Sequence, residues 1–337
     1  MQKGLRPLRS RTPNKLADIT KMKLLSLFIA ALSLPFLIGA SLHFPITYNS
    51  QSDFFVTPPI PTGTYAYPQI TQLVAFHVIH QTNGTGMLTQ SVINQQIAEL
   101  NYAFSGQEAK AKKYGSPTDA KITFVLSSVD YTENDDWYNN CALFNYQPTI
   151  KQALAINPAL HYNVYTCHAT TSLGLSIIPY MTINIFGVGT MIPPESHWML
   201  GTILDSGLLP GSTTFNGRWS TGSILVHEAG HNYGLQHIYQ GGCVLTESYS
   251  DNILDTPRQN GNPSESCPAM KGTRSCPKLK QPPDDYSDYM SINFGSCVSH
   301  FTPGQVLFIR NAINVLKPTL AKQTQSSTNG SQTTCAR

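Results

Sequence analysis

Charge is what this chain of 337 residues has least of: Asp, Glu, Lys and Arg together make up 12% of it, while 41% is hydrophobic. A composition so poor in charge and so rich in apolar residues has a core to bury, which excludes the disordered class. Positive charge is scarcer still once its placement is read. Residues 1–23 hold seven of the 22 Lys and Arg and one of the 19 acids, so from Ser41 onward fifteen basic residues face eighteen acidic ones. That stretch, at −3, offers no electrostatic basis for a nucleic-acid partner or an acidic membrane surface. The C-x-x-C spacing is absent too. Seven cysteines stand at 141, 167, 243, 267, 276, 297 and 335, and without that spacing disulfides are the better reading than metal.

The long apolar run comes early. Leu24 to Ala40 follows Lys21 and Lys23 and closes on Ile38-Gly39-Ala40 before the polar Ser41, the layout of a signal peptide over residues 1–40. Met22 is an alternative start. Counted from Met1, the extended basic leader makes an uncleaved membrane anchor the competing reading, because 17 residues is the lower limit for spanning. A secreted, extracellular chain follows, with a membrane partner only if that segment stays uncleaved. Asn83-Gly84-Thr85 and Asn329-Gly330-Ser331 are glycosylation sequons that suit this route. Residues 41–70 carry Pro58, Pro59, Pro61 and Pro68 and read as a lead-in or short pro-segment. It has no cysteine to cap a metal, and its one acid, Asp53, is either solvated or a latency ligand.

His227-Glu228-Ala229-Gly230-His231-Asn232-Tyr233-Gly234-Leu235-Gln236-His237 reads H-E-x-x-H-x-x-G-x-x-H. Histidines four apart share a helix face about 6 Å from one another, close enough to meet one ion. Gly234 can take a positive φ and turn the chain so that His237 closes the cluster. Three imidazoles leave one tetrahedral position on zinc open, where a structural site would demand a fourth protein ligand. Zinc brings the pKa of a water from 15.7 to roughly 7, and Glu228 is placed to take its proton. The expected chemistry is hydrolysis of a polarised carbonyl.

Ahead of this motif the pattern alternates. A strand is expected over Leu73–His80, a helix capped by Thr89 with Ile93, Ile97, Leu100 and Phe104 in one stripe, a strand from Ile122 to Leu126, and a helix over Thr149–Ile156. Further strands are expected at His161–Cys167 and Leu173–Ile185, then a Gly/Pro-rich passage from Gly187 to Gly217, so this part reads as an α/β sheet domain. The 173–185 strand either presents an edge to an extended peptide or lies inside the sheet. His77, His80, His161 and His168 read as satisfied or exposed strand residues rather than ligands. Thr221 or Ser223 is expected to cap the zinc helix, with Ile224, Leu225, Ala229 and Leu235 facing the sheet. Beyond His237 periodicity is lost. Asp251, Asp255 and Thr256, with Glu247, either hold a hard cation such as Ca²⁺ or are solvated groups in a turn. Met290 fits a soft floor beneath the imidazoles. Thr302-Pro303-Gly304-Gln305 is a capping box opening a last helix with Val306, Ile309, Ile313 and Leu316 as its stripe, and the Ser/Thr/Gln tail at 319–337 reads as disordered.

With those residues placed, the chain resembles the pappalysin family of metzincins, in particular its secreted fungal members. The resemblance rests on the zinc motif, on Asp251 to Pro257 for the family's D-x-V-x-D-T-P, on Asp288-Tyr289-Met290 for N-Y-M, and on Cys297 followed by Phe301 to Gln305. It implies an α+β metzincin fold over 71–318. The upper part, 71–237, would be a twisted mixed sheet carrying the zinc helix, and the lower part, 238–318, irregular and disulfide-stapled, with a Met-turn at Met290 and a C-terminal helix. It further implies endopeptidase activity on proteins or peptides, calcium after the third histidine, and disulfides Cys243–Cys276 and Cys267–Cys297. Of the three cysteines left, Cys141 and Cys167 are expected to pair, leaving Cys335 odd. One departure stands out: the family usually has Tyr two residues after the Met, where a hydroxyl could help hold the oxyanion, and here that residue is Ile292. The expected function is a secreted zinc endopeptidase with Glu228 as general base. The rival is a secreted or surface-bound protein that keeps the scaffold for binding and has weak or no catalysis.

Overall fold

The apolar run at 73–80 is the middle of a longer strand, β1 (Ile70–His80). In chain order it is followed by α1 (Gln90–Phe104), β2 (Ile122–Glu133), α2 (Asp135–Asn140), α3 (Gln147–Leu154) and β3 (His161–Cys167). Then come β4 (Gly174–Ser176), β5 (Ile183–Ile185), β6 (Gly189–Met191), β7 (Thr202–Asp205), α4 (Ser223–Asn232), α5 (Pro303–Leu316) and α6 (Pro318–Asn329). The computed structural model describes residues 67–107, 118–169, 172–181, 183–185, 189–244, 251–261, 272–291, 293 and 295–329. The signal segment, the lead-in with Asp53, and Glu247, Cys267, Ile292 and Cys335 lie outside the described residues.

Five strands form one mixed sheet in the order β2-β1-β3-β7-β4, parallel except for β4, which runs antiparallel to β7 at the edge. Strand β1 is buried at nearly every position because both its faces are covered. Val74, Phe76 and Val78 join Ile93, Leu100 and Phe104 of α1 and Leu225, Val226 and Ala229 of α4 in the main core. Ile79 points the other way, to Tyr138, Ile150, Tyr165 and Ile203. Each fully buried side chain of this kind contributes roughly 1.5–3 kcal/mol. Helix α1 is capped as expected, Thr89 Oγ1 accepting from the Val92 N–H at 3.4 Å. The α5 capping box is complete: Thr302 Oγ1 accepts from Gln305 N at 3.1 Å and Gln305 Oε1 from Thr302 N at 2.7 Å. Arg310 of α5 donates to the carbonyls of Pro68, Ala120 and Lys121, tying that helix to the start of β1 and the approach to β2.

Four expectations are corrected. The single strand over 173–185 is two short ones, β4 in the main sheet and β5 paired antiparallel with β6. Pro179 sits in a turn between them, closed by Met181 N to Ile178 O at 3.0 Å. The Gly/Pro-rich passage hides β7, four residues buried on both faces and too short to show a period. The cap of α4 is neither Thr221 nor Ser223 but Gly222, in the left-handed region at φ 82°, whose carbonyl accepts from Gln96 Nε2 at 3.0 Å. The tail expected to be disordered from 319 is helical through Asn329 as α6. Pro318 restarts the helix, Glu195 accepts from the Thr319 N–H at 3.0 Å at its positive end, and Leu320 is buried in the main core.

Candidate active site

Helix α4 is buried at all ten positions, so its side chains cannot wander. It ends as the sequence predicts, on Gly234, whose φ is 99°. Leu235 N donates back to Gly230 O at 3.0 Å and Gly234 N to His231 O at 2.9 Å, the two bonds of a Schellman stop. This reversal brings His237 back over the helix. Its Nε2 lies 3.1 Å from Nε2 of His227 and 3.1 Å from Nε2 of His231.

Tautomers follow from the partners. His227 Nδ1 faces the Tyr289 carbonyl at 2.6 Å and His231 Nδ1 faces the Leu235 carbonyl at 2.7 Å. A carbonyl only accepts, so both Nδ1 atoms carry the proton and both Nε2 atoms present lone pairs. His237 Nε2 stands 3.1 Å from each of these two lone-pair nitrogens, so a cation among the three would be within reach of all of them. Nitrogens bound tetrahedrally at about 2.0–2.1 Å from zinc stand about 3.3 Å apart, so the spacing fits that ion. Burial pushes His227 down to about 4, against the Tyr289 bond, which keeps the ring neutral and ready to ligate.

Glu228 is buried beside the first ligand, and its Oε2 has no hydrogen-bond partner among the described residues. An orphaned buried acceptor costs about 1–3 kcal/mol, the signature of a place where water or substrate belongs. Burial raises this carboxyl to about 8, opposed by hydrogen bonds from Ser176 and by the Lys151 ammonium. Its side chain lies directly over Gly174 of β4: a Cβ there would come within 2.6 Å of Oε1. Ser176 Oγ also donates to the Glu228 carbonyl at 2.9 Å, so the edge strand and the helix are locked together at Glu228.

Met290 is fully buried, and a Cβ on Gly230 would lie 2.4 Å from its Sδ. The methionine therefore passes under the helix between the first two ligands, where the sequence puts it. Tyr239 stacks on His237 with ring centroids 4.7 Å apart. Sequence reasoning missed Gly174, Ser176, Tyr239 and the buried Lys151, which donates to the Met199 carbonyl at 2.8 Å and is lowered to about 7 by burial. Only Tyr239, two residues past the third ligand, carried a signal that could have found it.

The other candidates fall elsewhere. His77 is buried between Asp130 and Asn163, His80 donates to the Gln81 carbonyl and His168 pairs with Asp205; none of these, nor His161, joins the three ligands. Asp251 accepts from Thr256 Oγ1 at 2.6 Å, while Asp255 accepts from Thr302 Oγ1 and Gly304 N at the start of α5. The oxygens suggested for calcium thus hold a turn and a helix end, and among the described residues no cluster of acidic, histidine or cysteine ligands forms around them. Cys141–Cys167 and Cys243–Cys276 are bonded as expected. Cys297 is also disulfide-bonded, its expected partner Cys267 lying outside the described residues. Asn83 is exposed, and Asn329 closes α6.

Residues 212–314 match the family model described as "Pregnancy-associated plasma protein-A". The chain is 31% identical over 241 residues to an extracellular metalloprotease of Podospora anserina, covering 70% of this chain and 71% of that one. It is 28% identical over 304 residues to an extracellular metalloprotease of Sordaria macrospora, covering 84% and 94%. Among solved structures, mirolysin in complex with a small compound superposes with a TM-score of 0.61 at 21% identity, over 77% of this chain and 98% of the other. Mature mirolysin of Tannerella forsythia with a cleaved peptide gives 0.55 at 21% identity, over 76% and 99%.

Proposed function

Because the chain belongs to the pregnancy-associated plasma protein-A (pappalysin) family and is a metalloprotease, we propose that it is a secreted zinc endopeptidase with Glu228 as its general base. The observation that carries this reading is the convergence of three imidazole nitrogens, His237 Nε2 lying 3.1 Å from Nε2 of both His227 and His231, beside a buried carboxylate with one unpartnered oxygen. His227, His231 and His237 would hold the metal, which when bound supplies Lewis acidity toward a carbonyl oxygen and toward water.

The chain's own residues do the rest. The Tyr289 and Leu235 carbonyls keep two ligands in the Nδ1–H tautomer. Glu228 takes a proton from the attacking water and returns it to the leaving amine, its carboxyl held up by burial and lowered from there by Ser176, Lys151 and, when bound, a dication's charge. Strand β4, at the sheet edge and pressed against Glu228, offers main-chain groups to an extended substrate, which would add to the sheet as a further strand. Proteins and peptides are the substrates this edge suits. Secretion is supported by the extracellular metalloproteases among its relatives and by its disulfides, which persist in oxidising compartments.

Glu228→Gln tests the assignment. The variant is expected to keep its zinc and to lose at least about 10²-fold in kcat against a peptide library read by mass spectrometry. Cleavage at the parent rate would remove Glu228 from the mechanism. A parent that binds zinc yet cleaves nothing in a chelator-sensitive way would favour the binding-protein alternative.

A further inference from the structure

Behind the Met-turn lies a second cluster with the donor chemistry of a metal site. Asp285, Asp288 and His300 each bring one ligand atom to within 4.8 Å of the others. Asp288 and His300 are buried and form an isolated parallel bridge, Tyr289 N donating to the His300 carbonyl at 2.9 Å. His300 Nε2 lies 2.9 Å from Asp285 Oδ2. Asp288 is 0% exposed; its Oδ1 accepts from Met290 N at 2.6 Å and Gln305 Nε2 at 3.0 Å, while its Oδ2 has no hydrogen-bond partner.

We propose that Asp285, Asp288 and His300 form a second divalent transition-metal site, which ties the Met-turn to the strand-like segment ahead of α5. Two carboxylates and one imidazole suit Zn²⁺ or Mn²⁺; calcium would want six to eight oxygens and takes no imidazole. Three arguments support a metal over a simple ion pair. An ion pair between His300 and Asp285 leaves the buried Asp288 Oδ2 unsatisfied, and a dication would satisfy it. No lysine or arginine makes an ion pair with Asp285 or Asp288 among the described residues, so no basic side chain competes with an ion for their oxygens. Asp285 alone of the three is partly open, leaving an entry path for the ion and room for water as a further ligand. The site is separate from the three-histidine centre, but both bear on the Met-turn: Asp288 holds the Met290 N–H, and the neighbouring Tyr289 carbonyl holds His227. Its occupancy would stabilise the floor under the first site rather than take part in hydrolysis.

Metal counting on the full chain tests this. After stripping and equilibrium dialysis against Zn²⁺, and separately Mn²⁺, elemental analysis is expected to find about two ions per parent chain, about one in His231→Ala and about one in Asp288→Asn. Asp288→Asn keeps an oxygen to accept from Met290 and Gln305 while removing the charge, and Asp285→Asn serves the same purpose should the first variant misfold by circular dichroism. In His231→Ala, added metal should still raise the melting temperature, and adding Asp288→Asn should abolish that rise. One ion in the parent and none in His231→Ala would overturn the second site and leave the first intact. One ion in the parent, retained in His231→Ala and lost in Asp288→Asn, would support the second site and count against the first.

Discussion

At Glu228 burial and the metal pull in opposite directions. Without metal, burial holds the carboxyl at about 8 against an ordinary value of 4.5. The folded chain then binds a proton that the unfolded chain releases, so this group's contribution to stability is complete below about 4.5 and is lost as pH rises through about 8. His227 acts the other way: depressed from 6.5 to about 4, it stabilises above 6.5, and that contribution is lost as pH falls through about 4. Urea unfolding of the metal-free protein should therefore show the parent losing stability between these Glu228 limits relative to Glu228→Gln, in which the histidine contribution is common to both. Parallel curves across that window would mean that the carboxyl is not held protonated. That three histidines cluster beside Glu228 was legible at this scale, because the motif's spacing demands it. That Glu228 is buried over a glycine was not, since nothing near Gly174 in sequence refers to residue 228.

Among the elements, those that are long and capped were readable and those that are short were not. Helix α1 and helix α5 announce themselves by a capping residue and an apolar stripe, and the structure places both where those signals do. Strands β4, β5 and β7 run three, three and four residues, too few to show a period; β4 and β7 take their identity from pairing with chain remote in sequence, β5 from its neighbour β6. Yet β4 is the element most closely coupled to catalysis in the proposed mechanism. Gly174→Ala would put a methyl group within 2.6–2.8 Å of the Glu228 carboxylate, whose flexible end can move aside more readily than the strand. The expected result is a fall in kcat of roughly 10–100-fold, the effect of a misplacement of about 1 Å, with little change in melting temperature or zinc content. Unaltered turnover would show that the carboxylate does not depend on that contact.

Across the molecule, the sheet is covered on both faces, and disulfides staple two regions: Cys141–Cys167 joins the end of α2 to β3 on the sheet face opposite α4, and Cys243–Cys276 closes the irregular chain beyond the three-histidine motif. Replacing Cys141 and Cys167 together by Ser should remove about 2–4 kcal/mol and lower the melting temperature by roughly 5–10 °C, while zinc content stays at the parent level, because α4 packs on the other face. Loss of zinc along with stability would show that the two faces are coupled. The sequence by itself determined that His227, His231 and His237 meet, that a glycine turns the third of them inward, and which family the chain belongs to, because each depends on spacings of a few residues along one helix and its end. Only the tertiary structure decided that the Tyr289 carbonyl orients His227, that Met290 lies under Gly230, that β4 forms the sheet edge over Glu228, and that Asp285, Asp288 and His300 meet. The physical reason is range: a local hydrogen bond or turn is written in neighbouring residues, whereas those contacts join segments separated by roughly ten to sixty positions and exist only once hydrophobic burial has brought them together.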